Sequence, residues 1–259
     1  MESYKRKPNY KKNFLRNRVL KILIHFDIAV LLYIILQFSL GKRYHFGEYM
    51  GSLIGWNTVG NSSWFIFDIL ALYVIFYFSL HIEKWYNSIS NSSGGILLSV
   101  ILSCIMLWLF LYITKGQSRW VNNIMVFPLG ISYSMYRNLF EEWLNRRHYY
   151  SVFIFLTLAL VAWHSIVGID KVGVCTSLFA IWIVMLTMKV QFGNRVLQWL
   201  GTMAFAIFIL QRLPMIALTH FGFNQDIWLF VSIVIISTLI ISQFYTSFLN
   251  KMDNYLFKR

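Results

Sequence analysis

Acidic residues are scarce in this chain: 10 Asp and Glu stand against 23 Lys and Arg in 259 residues, and only 13% of positions are charged. With 58% apolar and 19% aromatic residues, so thin a polar cover excludes a soluble domain of this length. Such a domain could not hide that much apolar surface, so the solvent is lipid. Cysteine is nearly absent. Cys104 and Cys175 both lie in apolar stretches, which excludes a disulfide framework and reads as small core residues. Proline occurs three times and no Pro/Gly/Ser-rich linker or repeat divides the chain, so a single membrane domain over residues 1–259 is expected. No HExxH, GxSxG, P-loop, GxGxxG or DxD pattern is present. The six histidines are scattered among different segments, so no metal site is expected. A cleavable signal peptide is not expected either, because the apolar stretch after Lys21 is too long and ends without a small-x-small site. Asn61-Ser62-Ser63 and Asn91-Ser92-Ser93 match the glycosylation triplet, a pattern common by chance.

What the chain does have is long apolar runs. They recur at about 20–40, 63–81, 96–114, 121–138, 150–168, 172–189, 201–220 and 227–249, each near the ~20 residues that a 30 Å hydrocarbon core requires. The fourth is the weakest, opened by Asn122 and Asn123 and interrupted by Pro128 and Gly130. The expected fold is all-α: a polytopic transmembrane helix bundle of about eight helices.

The positive charge is unevenly placed. Lys5, Arg6, Lys7, Lys11, Lys12, Arg16, Arg18 and Lys21 crowd ahead of the first apolar run. With both termini cytoplasmic, Lys84, Arg137, Arg146, Arg147, Lys189, Arg195, Lys251, Lys258 and Arg259 join them. The opposite side then holds only Lys42, Arg43, Lys115, Arg119 and Lys171. That asymmetry fits an even number of crossings with both ends inside. It also accounts for the net charge of +13 better than nucleic-acid binding, because the basic residues cluster at helix ends and not on a polar domain. Trp56, Trp64, Trp85, Tyr86, Trp120, Tyr149, Tyr150, Trp199 and Tyr245 fall near the span ends, as an interfacial belt would.

Charges at bilayer depth cost on the order of 2.5–3.5 kcal/mol each on insertion scales, so each needs a partner or a function. Asp68 lies one turn beyond Trp64 on the second run, near enough to its outer end to face a wet cavity; a structural ion pair is the plainer reading. Asp27 and His25, two residues apart, point to different faces, and Asp27 with Lys21 reads as an interfacial ion pair. Arg212 sits mid-run beside Gln211 and just before Pro214, whose missing N–H frees the Leu210 carbonyl and bends the helix. That combination describes a cavity-lining helix, with an ion pair to Asp68 or Asp27 as the alternative. His164, near the outer end of the fifth run, could transfer protons near neutral pH, though a lone interfacial histidine is more often a hydrogen-bonded filler.

Three stretches together resemble the acyltransferase-3 family of bacterial membrane O-acyltransferases. Asn13-Phe14-Leu15-Arg16-Asn17-Arg18-Val19-Leu20-Lys21-Ile22-Leu23-Ile24 resembles that family's basic loop entering its third helix. Asn61-Ser62-Ser63-Trp64-Phe65-Ile66-Phe67-Asp68-Ile69-Leu70 with Tyr73 resembles its "WFL…L…Y" helix. Leu200-Gly201-Thr202-Met203-Ala204-Phe205-Ala206-Ile207-Phe208-Ile209-Leu210 followed by Pro214 resembles its penultimate helix. The order is kept along essentially the whole chain. The sequence departs from the pattern at His25, where the family usually has proline, at Gln211, where many members have histidine, and at Ala204-Phe205, which replace Ser-Tyr.

The resemblance implies transfer of an acyl group, acetyl in the family's common usage, from acyl-CoA to a hydroxyl of a cell-surface carbohydrate, in the cell membrane. Arg16, Arg18 and Lys21 carry over as donor-binding positions; guanidinium forks and ammonium groups suit coenzyme A phosphates. Anchoring to anionic lipid, at roughly 1 kcal/mol per basic residue, is the competing reading. The family's catalytic histidine, on its first helix, has no counterpart here. Asp68, His164 and Arg212 are therefore only weak catalytic candidates, and a chain lacking the first two family helices is expected to be poorly active alone. A small permease or flippase lined by Arg212 and Asp68, or a non-catalytic scaffold, are the rival readings.

Overall fold

The computed structural model describes residues 10–86, 94–116, 118–167, 173–191 and 193–257. Lys5, Arg6 and Lys7, the Asn91 triplet, Lys171, Lys258 and Arg259 lie outside them. Every regular element among the described residues is helical.

The basic run enters the fold as α1 (Tyr10–Phe14), passes through a π-helical turn (Leu15–Leu20) and continues as α2 (Lys21–Ser39). There follow α3 (Phe46–Leu53), α4 (Trp64–Tyr86), α5 (Gly94–Lys115), α6 (Ser118–Val121), α7 (Val126–Trp143), a second π-helical turn (Leu144–His148) and α8 (Tyr149–Val167). The chain closes with α9 (Val174–Lys189), α10 (Arg195–Leu210), α11 (Arg212–His220) and α12 (Ile227–Leu256). Among the described residues helix fills most of each of the eight apolar runs, with a turn at 122–125 in the fourth. Five stretches are long and apolar enough to cross a bilayer unbroken: Lys12–Ser39, Trp64–His81, Gly94–Lys115, Tyr149–Ile166 and Ile227–Leu256. The α10–α11 pair, bent by 44°, makes a sixth if it is one broken span, and α9 is shorter, at 16 residues.

These helices are apolar all round, and large side chains such as Ile35 (65% exposed) and Phe38 (63%) face outward. A fold that presents such residues to its surroundings is built for lipid. This is a multi-pass membrane protein. Inside a bilayer the hydrophobic effect does not hold helices together, since lipid tails are as apolar as leucine; close packing and polar ties must do it.

The chain forms two compact units. The first comprises residues 1–15 and 71–192, with a core that includes Leu144, Tyr149, Leu156 and Met185. Tyr149 Oη donates to the Met185 carbonyl at 2.8 Å, and Trp182 Nε1 donates to Thr157 Oγ1 at 3.0 Å, joining α8 to α9. Phe14 is buried against the rings of Tyr73, Phe76 and Tyr77. In α7, Pro128 occupies the first turn, where its missing N–H removes no helical bond, and the irregularity falls instead at Tyr136 (φ −110°, ψ 17°).

The second unit comprises residues 16–70 and 193–259. Phe26, Val30, Tyr33, Ile66, Ile209 and Leu210 form the centre of its core, with α2, α10 and α12 contributing most of the wall.

Candidate functional site

The second unit holds the basic end of α2 against the carboxy-terminal end of α12. Lys21 Nζ lies 2.6 Å from Asp253 Oδ2, and His25 Nε2 lies 2.8 Å from Asp253 Oδ1, so one carboxylate takes both cations or donors on separate oxygens. Lys21 and His25 are four residues apart, hence stacked on one face of α2. The pairing expected between Lys21 and Asp27 does not form. Asp27 is a third of a turn or more off that face, and its Oδ1 has no hydrogen-bond partner. Tyr245, about two turns before Asp253 on α12, donates its hydroxyl to the His25 carbonyl and fixes the backbone there.

Arg16 leaves the π-helical turn and donates from Nη2 to the Leu256 carbonyl at 2.7 Å. That carbonyl belongs to the last turn of α12, where helix geometry leaves acceptors without partners and favours positive charge. The Phe257 ring lies beneath both cations, 5.7 Å from the Arg16 guanidinium and 6.0 Å from Lys21 Nζ.

These ties border a cleft of about 310 Å³ lined by Asn17, Arg18, Lys21, His25, Thr202, Phe205, Thr246, Asn250 and Asp253, among others. Of the three basic donor candidates, Arg18 and Lys21 line it and Arg16 does not. Arg18 is exposed. It makes no hydrogen bond or ion pair within the described residues, so its guanidinium is available to a ligand. The π-helical turn matters here: wide turns of this kind are rare and frequent at functional sites. This one carries Arg16, Asn17 and Arg18.

Two other clefts lie in the first unit. One, lined by Asn138, Glu141, Glu142 and Asn145, is acidic. Hydrogen bonds from Arg137 and Tyr133 hold the Glu141 carboxyl below its usual range, so it stays ionised and repels anions. The other, of about 410 Å³ between α7 and α9, is walled mainly by apolar residues such as Val126, Leu129 and Val184, with no charged group. Neither offers phosphate-binding chemistry.

The weak catalytic candidates are dispersed. His164 is an exposed residue near the end of α8, in the first unit. Asp68 is buried in the second unit, and neither of its oxygens has a hydrogen-bond partner within the described residues. Arg212 heads α11 at the break in the bent pair, and its Nη1 reaches the Asn61 carbonyl at 3.4 Å. No ion pair joins Arg212 to Asp68 or Asp27 within the described residues, which corrects the expected alternative. The break itself is filled by Tyr33, whose hydroxyl donates to the Ile209 carbonyl at 2.9 Å and faces the backbone N–H groups of Arg212 and Leu213. Pro214 supplies no N–H in this turn, and an inserted hydroxyl is a recognised cause of such bends.

The basic cleft is lined by residues of the first motif stretch (Asn17, Arg18, Lys21) and of the third (Thr202, Phe205, Ala206), while the second contributes none. A family model described as an acyltransferase domain matches residues 3–246, which is nearly the whole chain. The chain belongs to the acyltransferase-3 family. No curated protein and no solved structure matches this acyltransferase-3 chain. Its matched stretch includes Arg16, Arg18, Lys21 and His25 and stops short of Asp253, so the carboxylate that organises the cleft lies beyond it. No pattern in the sequence could have linked His25 to Asp253, 228 residues away.

Proposed function

We infer that this acyltransferase-3 protein takes an acetyl group from acetyl-CoA at the basic cleft and passes it to a hydroxyl of a cell-surface carbohydrate. The observation that carries the reading is the free Arg18 guanidinium in the wall of a polar cleft at the basic end of α2. Coenzyme A brings phosphates, for which Arg is suited by its bidentate fork and Lys by its compact charge. Arg18 and Lys21 are the phosphate contacts in this reading, while Arg16 holds the end of α12 in place. The excess of Lys and Arg on the side bearing the basic run supports a cytoplasmic cleft, where acetyl-CoA is made available. The membrane in question is the cell membrane, and both termini face the cytoplasm.

Equilibrium binding of acetyl-CoA to the detergent-purified chain tests this. A charge-assisted hydrogen bond contributes about 1.5–3 kcal/mol, so R18A should weaken binding by about tenfold or more. R16A should leave affinity nearly unchanged while lowering thermal stability. Equal affinity of R18A and the unsubstituted chain would refute the donor site.

A further inference from the structure

We propose that His25 and Asp253 form the acid–base pair of the cleft, with His25 Nδ1 as the atom that moves the proton during acyl transfer. The inference rests on the donor reading above and goes beyond it, since it assigns the chemical step to residues that no motif marks.

A carboxylate only accepts hydrogen bonds, so the 2.8 Å contact fixes the proton on Nε2 and leaves Nδ1 as the basic nitrogen. Nδ1 makes no hydrogen bond within the described residues. It is also not among the buried polar atoms sealed from their surroundings, and the imidazole belongs to the cleft wall. Every group facing the ring suits this role. Lys21, on the same helix, holds the second oxygen of Asp253 and keeps the carboxylate ionised and fixed. Tyr245 anchors the His25 carbonyl from α12, and the Phe205 ring of α10 flanks the imidazole with centroids 6.4 Å apart. A base whose far nitrogen is hydrogen-bonded to a half-buried carboxylate follows the orienting logic of a catalytic His–Asp pair. As a purely stabilising device the arrangement is redundant, because Lys21 alone would neutralise Asp253.

In the step, Nδ1 accepts the proton of the acceptor hydroxyl as that oxygen bonds to the thioester carbonyl carbon. The tetrahedral adduct then collapses, the carbon–sulfur bond breaks, and the imidazolium returns the same proton to the departing thiolate. Asp253 stabilises the imidazolium in between and is itself never protonated. His25 is thus the catalytic residue and Asp253 its positioning residue.

The test measures two quantities on the full-length chain in nanodiscs: acetyl-CoA affinity, and release of free coenzyme A thiol with a monosaccharide acceptor. H25Q keeps a donor toward Asp253 but has no base. It should bind acetyl-CoA as the unsubstituted chain does and release thiol about 100-fold more slowly or worse, the range of general-base catalysis. H25A should regain part of its rate with added imidazole. D253N should lower kcat by about tenfold or more, and D253E should restore part of that loss. Thiol release by H25Q at the unsubstituted rate, failure of imidazole to rescue H25A, or binding without any thiol release by the unsubstituted chain would each overturn the proposal. Absence of acetyl-CoA binding would instead remove the donor site, and the pair with it.

Discussion

Tyr33 is fully buried, and its hydroxyl meets the Ile209 carbonyl in the break between α10 and α11. Membrane helices tolerate broken ladders only where side chains re-satisfy the freed backbone groups. Y33F removes that partner while keeping the ring, so it should cost about 1–3 kcal/mol, read as a lowered midpoint in thermal unfolding in detergent. The same contrast separates the basic residues. Arg16 is bound to Leu256 and Phe257, so its loss should lower stability; Arg18 makes no hydrogen bond or ion pair among the described residues, so its loss should lower acetyl-CoA affinity instead. Raising the ionic strength should weaken acetyl-CoA binding through Arg18 more than it weakens the partly buried Lys21–Asp253 contact, and a salt titration of the dissociation constant checks this.

Among the elements, α12 is the longest, and its start is set by Asp226, whose carboxylate accepts from the N–H groups of Trp228 and Leu229 at 2.9 and 3.2 Å. D226A should cost about 1 kcal/mol of stability and D226N much less, measurable in the same thermal assay. Apolar length marked the all-helical membrane fold, but of the eight runs five become helices able to cross a bilayer unbroken and a sixth is the bent α10–α11 pair, while the fourth and sixth runs give α7 and the 16-residue α9. The finer features were not legible. Helix α3 lies in a loop by hydropathy; it forms because the His45 N–H donates to the Glu48 carboxylate at 2.8 Å, a local cap with no length signal. The disturbance of α7 was expected at Pro128 and Gly130 and occurs at Tyr136, since proline in a first turn costs no bond. The basic run was legible by its charge, whereas Asp253, the carboxylate that ties it to α12, was not. Tertiary packing alone brings α2 to the end of α12.

For the whole molecule, outward-facing apolar helices describe a multi-pass membrane protein of the acyltransferase-3 family. The protein should remain in the pellet after alkaline carbonate washing and leave it only with detergent; release by alkali alone would contradict its multi-pass character. The central claim is that the basic run of α2 is a donor site as well as an anchor. The most direct measurement is acetyl-CoA affinity of the purified chain compared with R18A. The account predicts saturable binding that R18A weakens by about tenfold or more. Saturable binding of equal strength in both proteins, or none in either, would contradict it.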